Sequence, residues 1–440
     1  MLAFAARPDS PRLVLAAGVR TPFVKAGGAF AREDAAHLGA LVARELLART
    51  GVDPAALSEV IAGCVGPPFT QANIGRVIAL RAGVPRAVPA RTVARNCASG
   101  FEAVTSAVAN LRAGVGDLYL CLGVEHMSGY PLAYNEEATA FFAGMMKAKS
   151  AGQRLGAMLK FRPRMLKPRV TLLEGLTDPT TGMIMGRTAE VLARDWSLTR
   201  EECDRFALES HRRVKSARDS GRLAQEILPV LPLGARDGAA AAQHDDGVRD
   251  DQTLEALAKL KPFFEKPDGI VTVGSSSQVT DGAAALLVCR EDQARSLGLK
   301  PLAAIRAFAW AGLDPARMGL GPVHASAAVL DAAGLDLARM GVVEINEAFA
   351  AQVLACERAF ASEKFAREQL GRTGAVGALD PARTNPNGGA IALGHPVGAS
   401  GARLLLTLAL EMRARREEFG LATLCIGGGQ GGAIILEAVA

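Results

Sequence analysis

Paired cysteines are missing from this 440-residue chain. Its seven cysteines are Cys64, Cys97, Cys121, Cys203, Cys289, Cys356 and Cys425, an odd number with no C-x-x-C among them. Neither do they share a metal-ligand spacing with the six histidines. This excludes a disulfide framework and predicts reduced thiols, no metal and a cytoplasmic setting. Aromatic residues are scarce at 5%, against 49% hydrophobic residues overall. The core must then be built from Ala, Val and Leu, which suits packed α/β layers. No run of eighteen apolar residues occurs, so no membrane span is expected. Met1 to Ser10 has no apolar stretch long enough for a signal peptide. The net charge of +5 is small and spread out. It mildly favours anionic ligands and gives no reason to expect nucleic acid.

Glycine, by contrast, is plentiful, with 47 residues. That fits many tight strand–helix turns. The length predicts at least two packed units. In the first, Pro11 to Val19 reads as a buried strand. Asp34 to Thr50 reads as a helix closed by Gly51, and Val60 to Val65 as a short strand. A helix over Asn73 to Arg81 follows. Cys97 then opens a long Ala-rich helix ending near Gly114, before a strand over Leu118 to Val124. The last third repeats the plan. Leu302 to Ala311 and Gly341 to Ile345 read as strands, with a helix over Pro322 to Ala333. His395 opens a long helix, and Leu421 to Ile426 is a closing strand. Two similar βαβαβ halves are expected, with Cys97 and His395 at equivalent places.

The chemistry-bearing residues sit on Gly/Ser-rich turns. They are Asn96-Cys97-Ala98-Ser99-Gly100, Asn346-Glu347-Ala348-Phe349, Gly394-His395-Pro396-Val397-Gly398 and Cys425-Ile426-Gly427-Gly428-Gly429. Two cysteines and a histidine are what acyl transfer through a thioester requires. Cys97, at a helix N-terminus that favours a thiolate, is the candidate nucleophile. His395 is the base that would activate it, and Cys425 the second acid/base. Gly427 to Gly429 is not a dinucleotide loop, because a strand follows it rather than a helix.

In this combination and order the four motifs resemble the thiolases, from Arg20-Thr21-Pro22-Phe23 to Gly431-Gly432. The resemblance implies a five-layered αβαβα core of two halves, residues 1–290 and 291–440, with a loop-domain insertion at about 126–248. It implies reversible cleavage of 3-ketoacyl-CoA by CoA to acyl-CoA and acetyl-CoA, or condensation of two acetyl-CoA. CoA is then a substrate and no cofactor is needed. By carry-over, His395 and a water held by Asn346 surround the enolate oxygen. The backbone N–H groups of Cys97 and Gly427 surround the tetrahedral oxygen. Ser277 matches a pantetheine-contacting serine, although Ser275 departs from the family's spelling, and Met185 matches a wall of the acyl site. A homodimer or tetramer is expected.

Two signals disagree about the subgroup. The stretch Ala361 to Glu368 and a basic segment resemble the β-subunit of fatty-acid oxidation multienzymes. Asn346 and Cys425-Ile426-Gly427-Gly428 look more like acetyl-CoA acetyltransferases. The basic segment runs from Ala138 to Leu173 with eight Lys/Arg and no Asp/Glu. Phe141, Phe142, Met145 and Met146 interleave with the charges, predicting an amphipathic helical hairpin. It is read either as a solvated face or as a contact with a membrane surface or a hydratase/dehydrogenase subunit. Two rivals share the fold: a ketoacyl-synthase-like condensing enzyme and a non-catalytic scaffold. The first would carry histidine or asparagine where Cys425 stands, and the second would have lost Cys97, His395 or Cys425.

Overall fold

A computed structural model describes residues 2–6, 10–236 and 238–439. Numbering only the principal elements, the first half runs β1 (Leu13–Arg20), α1 (Ala35–Thr50), β2 (Glu59–Gly63), α2 (Ile74–Arg81), β3 (Ala90–Val93), α3 (Ser99–Arg112) and β4 (Leu118–His126). An insertion carries α4 (Glu136–Lys147), α5 (Ala151–Met158), α6 (Met185–Asp195) and α7 (Arg200–Asp219) before the chain returns as β5 (Thr280–Arg290). The second half runs β6 (Ala303–Gly312), α8 (Gly321–Ala333), β7 (Met340–Ile345), α9 (Ala350–Phe360), α10 (Val397–Arg415), β8 (Phe419–Ile426) and β9 (Gln430–Glu437).

The two halves repeat one topology. The first sheet has the order β1-β5-β4-β2-β3 and the second β6-β9-β8-β7. In each, the first strand lies beside the last, and the strand after the buried helix pairs in parallel with the second. The sheets join at one corner, where Ala303 and Ala304 of β6 pair with Leu15 and Val14 of β1. Between them lie α3 and α10, in one apolar cluster with Leu15, Leu286, Ile434 and Leu436. Helices α1 and α2 cover the outer face of the first sheet, and α8 and α9 that of the second. These are the five expected layers.

Local signals explain several elements. Asp34 caps α1 by accepting from the His37 N–H, and Gly51 ends it with φ +65°. The insertion, expected as a loop domain, carries four principal helices. Thr199 and Glu202 form a reciprocal capping box that starts the 20-residue α7. Arg20 on β1 is fully buried and pairs with Asp245 and Glu226 at 2.7 and 2.8 Å. This triad ties the returning insertion to the first half. Removing Arg20 would leave the buried Asp245 carboxylate without its cation.

The central helices approach each other through glycine. A Cβ on Gly100 would lie 2.4 Å from the Ala402 nitrogen, and one on Gly401 2.6 Å from the Phe101 nitrogen. Each contact is with backbone, so no side chain can swing away. We expect Gly100→Ala to cost about 1–3 kcal/mol by overpacking. Urea unfolding measures it, and an unchanged midpoint would mean that the helices separate freely.

Candidate active site

Cys97 and His395 each lie two residues before a central helix, α3 and α10. Six of the seven cysteines are buried, and Cys97 alone is partly open. Asn96 adopts a left-handed φ of +44°, which turns the chain sharply before the cysteine. Ser99 fastens this turn: its hydroxyl donates to the Asn96 carbonyl at 2.7 Å and accepts from the Arg95 N–H at 2.9 Å. Burial pushes the Cys97 thiol up to about 11. The N–H groups of Gly427 and of Cys97 itself act in the opposite sense, favouring the thiolate.

His395 is held on three sides. Its N–H donates to the Gln278 carbonyl at 3.0 Å. Its Nδ1 lies 2.5 Å from the Ser400 hydroxyl, which itself donates to the Pro396 carbonyl. With that hydroxyl proton committed, Nδ1 carries the hydrogen and Nε2 keeps its lone pair. Nε2 faces the Asn346 amide nitrogen at 3.4 Å. Burial, and then the charge of Arg403, lower His395 to about 3, so the ring is a neutral base in the resting site. Asn346 is fully buried and its Oδ1 has no partner, which leaves an acceptor free for a donor in the site. Glu347 is turned away: it accepts from Ser210 at 2.6 Å and Asn385 at 2.9 Å, ordering the loop.

Cys425, one residue before the end of β8, shares a cavity with Cys97. Burial, then the proximity of Cys97 and Cys356, hold its thiol well above the ordinary range, so it is protonated at rest. Cys97, His395 and Cys425 line one cavity of about 490 Å³, together with Met185, Ser277 and Phe349. The Ser277 N–H donates to the Ala348 carbonyl at 2.9 Å, joining the segment before β5 to the Asn346 loop. A second cavity of about 540 Å³ meets the first at Cys97. It is lined by Tyr130, Leu172, Leu176 and Gly427, and contains neither His395 nor Cys425. Met185 borders both. Cys97, His395, Cys425, Ser277 and Met185 thus share one cavity, Asn346 lies against His395, and Gly427 borders the adjoining cavity.

Sequence reasoning missed Glu125. It is fully buried on β4 and accepts from the Val65, Gly66 and Gly398 N–H groups, each at 3.0 Å, and from Tyr130 at 3.2 Å. It thereby stitches the start of α10 to the first half. Ser400 was also missed as the partner that fixes the histidine tautomer. Its position one turn into α10, where a serine hydroxyl can bond the carbonyl four residues back, was the available signal.

Family models match along nearly the whole chain. Residues 13–292 match "Thiolase, N-terminal domain" and 299–438 match "Thiolase, C-terminal domain". A 3-ketoacyl-CoA thiolase of Pectobacterium carotovorum is 38% identical over 97% of this chain and 96% of its own length. A 3-ketoacyl-CoA thiolase of Yersinia pestis is 38% identical over 97% of both. The human mitochondrial 3-ketoacyl-CoA thiolase in complex with CoA superposes with a TM-score of 0.84 at 35% identity, covering 98% of each chain. An acetyl-CoA acetyltransferase of Bacillus anthracis superposes with a TM-score of 0.84 at 35% identity, covering 98% of this chain and 99% of its own.

Proposed function

This chain belongs to the thiolase family, and we propose that it cleaves 3-ketoacyl-CoA with CoA, reversibly, through an acyl group carried on Cys97. The observation that carries this reading is that Cys97, His395 and Cys425, from three distant stretches, line one cavity. His395 Nε2 takes the Cys97 proton as sulfur attacks the 3-keto carbon. The thiol at about 11 and the histidine at about 3 make a resting ion pair uphill. The proton therefore moves as the carbon–sulfur bond forms. The new oxyanion is met by the N–H groups of Cys97 and Gly427. Cleavage of the C2–C3 bond releases an acetyl-CoA enolate whose carbon takes the Cys425 proton. The protonated His395 and a water held by the free Asn346 Oδ1 donate to the enolate oxygen.

Once Cys97 is acylated it no longer opposes a thiolate at Cys425. Cys425 can then accept the proton of an incoming CoA thiol, which attacks the acyl-Cys97 carbonyl. Acyl-CoA leaves, and His395 returns its proton to Cys97. No cofactor enters these steps; CoA is a substrate.

The enolate and its CoA occupy the cavity with His395 and Cys425. The acyl tail, on the other side of the attacked carbon, extends into the second cavity. At about 540 Å³, that space falls within the ~300–1,000 Å³ of pockets that enclose drug-sized ligands. It exceeds the need of an acetyl group. Incubation with 3-ketoacyl-CoA and CoA should yield acetyl-CoA and the shortened acyl-CoA in equal amounts. The rate should rise beyond four-carbon substrates. No products at any chain length would overturn the reaction, and cleavage of four-carbon substrates alone would overturn the long-chain reading.

The basic segment forms the expected hairpin, with Asn135 capping α4 and a Ser150/Gln153 capping box starting α5. Phe141 packs between Phe142 and Phe161, but other apolar side chains stay in water: Met146 is 88% exposed, Leu159 75% and Leu166 72%. No helix among the described residues is long and apolar enough to cross a membrane. Exposed apolar groups between cations suit an anionic lipid surface, with the hairpin lying in the interface. Each cation there contributes about 1 kcal/mol. Replacing Lys160, Arg162, Arg164 and Lys167 together by Ser should lower co-sedimentation with anionic vesicles by on the order of 10³-fold, with thiolysis intact. Capture of a hydratase/dehydrogenase subunit without vesicle binding would replace the lipid with a protein partner.

A further inference from the structure

The triple glycine after Cys425 sets a physical problem. Gly428 and Gly429 have φ of +86° and +76°, and residues 427–429 bear no side chain that could anchor them. Such a stretch is the most permissive backbone available. Yet the Gly427 N–H must stay aimed at Cys97, because an oxyanion donor works only when it is fixed beforehand.

The anchor comes from the other half of the molecule. The Asn96 amide nitrogen donates to the Gly427 carbonyl at 2.8 Å, across 331 positions of chain. The nucleophile turn does not need this side chain for itself, since Ser99 and the Asn96 carbonyl already close it. The other contacts of the turn, the Ile426–Gln430 pairing of β8 with β9, the Leu313 N–H donating to the Gly429 carbonyl at 2.8 Å and Arg95 donating to Gln430 at 3.2 Å, close it at Ile426, Gln430 and Gly429 and do not engage the Gly427 carbonyl. We propose that Asn96 is a positioning residue for acyl transfer, whose side chain fixes Gly427 so that its N–H stays directed at the sulfur and oxyanion of Cys97. The inference rests on the reading of Cys97 as the acyl carrier. It assigns Asn96 to the two tetrahedral steps and not to proton exchange at C2, which belongs to Cys425 and His395.

Asn96→Gly separates the roles. Glycine accepts a φ of +44° without strain, so the turn is kept while the amide is lost. The expected result is a ~10–100-fold slower acylation of Cys97 by acetyl-CoA, somewhat less than outright loss of an oxyanion donor. Alkylation of Cys97 by iodoacetamide should shift to higher pH. KM for CoA, the melting temperature and the rate of solvent exchange of the acetyl-CoA methyl protons should stay at native values. Acylation at the native rate overturns the inference. So does a parallel fall of acylation and exchange with a lowered melting temperature, which would make Asn96 merely structural. If the unmodified protein itself does not acylate Cys97, the reading beneath the inference has failed instead.

Discussion

Cys97→Ala should abolish both thiolysis and condensation, because no thioester can form. Deletion of a covalent nucleophile removes on the order of 10⁶-fold in rate in a comparable acyl-transfer site. The fold should survive, since Cys97 is the one cysteine not fully buried and the turn around it is fastened by Ser99. Mass spectrometry after incubation with acetyl-CoA should find the acetyl group on Cys97 of the native protein and nowhere on the variant. Acetyl on another cysteine, or activity that survives the substitution, would sink the assignment.

Cys425→Ala should divide the reaction. Acylation of Cys97 from acetyl-CoA needs no proton at carbon; it should persist but slow, because the departing CoA thiol normally takes its proton from Cys425. Exchange of the acetyl-CoA methyl protons with solvent should vanish, and thiolysis should fall ~10²–10⁴-fold, the range for a lost general acid–base group. The structure supports the direction: the Cys425 thiol is buried and holds its proton at rest. Exchange at the native rate in the variant would make Cys425 a core residue and nothing more.

The parts legible in the sequence were those written in local chemistry. Asp34 and Gly51 bracket α1 at the expected residues, because a cap and a left-handed stop are properties of a few adjacent positions. The glycine-framed turns announced Cys97, His395 and Cys425 for the same reason. What stayed hidden depends on which distant segments touch. Strand β5 lies between β1 and β4, a placement no local signal carries. Glu125 resembles any strand residue until Val65, Gly66 and Gly398 are seen around it. Asn96 reads as part of a turn until Gly427 is beside it. The capping box at Thr199 and Glu202 is different. That signal was local and present, but it lay inside a segment read as a loop domain.

The uneven burial of the thiols turns the chain into its own gauge. One sulfhydryl is partly open to the cavity, Cys425 is buried in the wall of that cavity, and the other five are sealed within the layers. A thiol-reactive dye added to native protein should take up one equivalent per chain, at the reacting centre, and count competent sites without any substrate. The other six should answer only as the layers part. Early and late equivalents from one sample would then report how much of it is active and how much is folded.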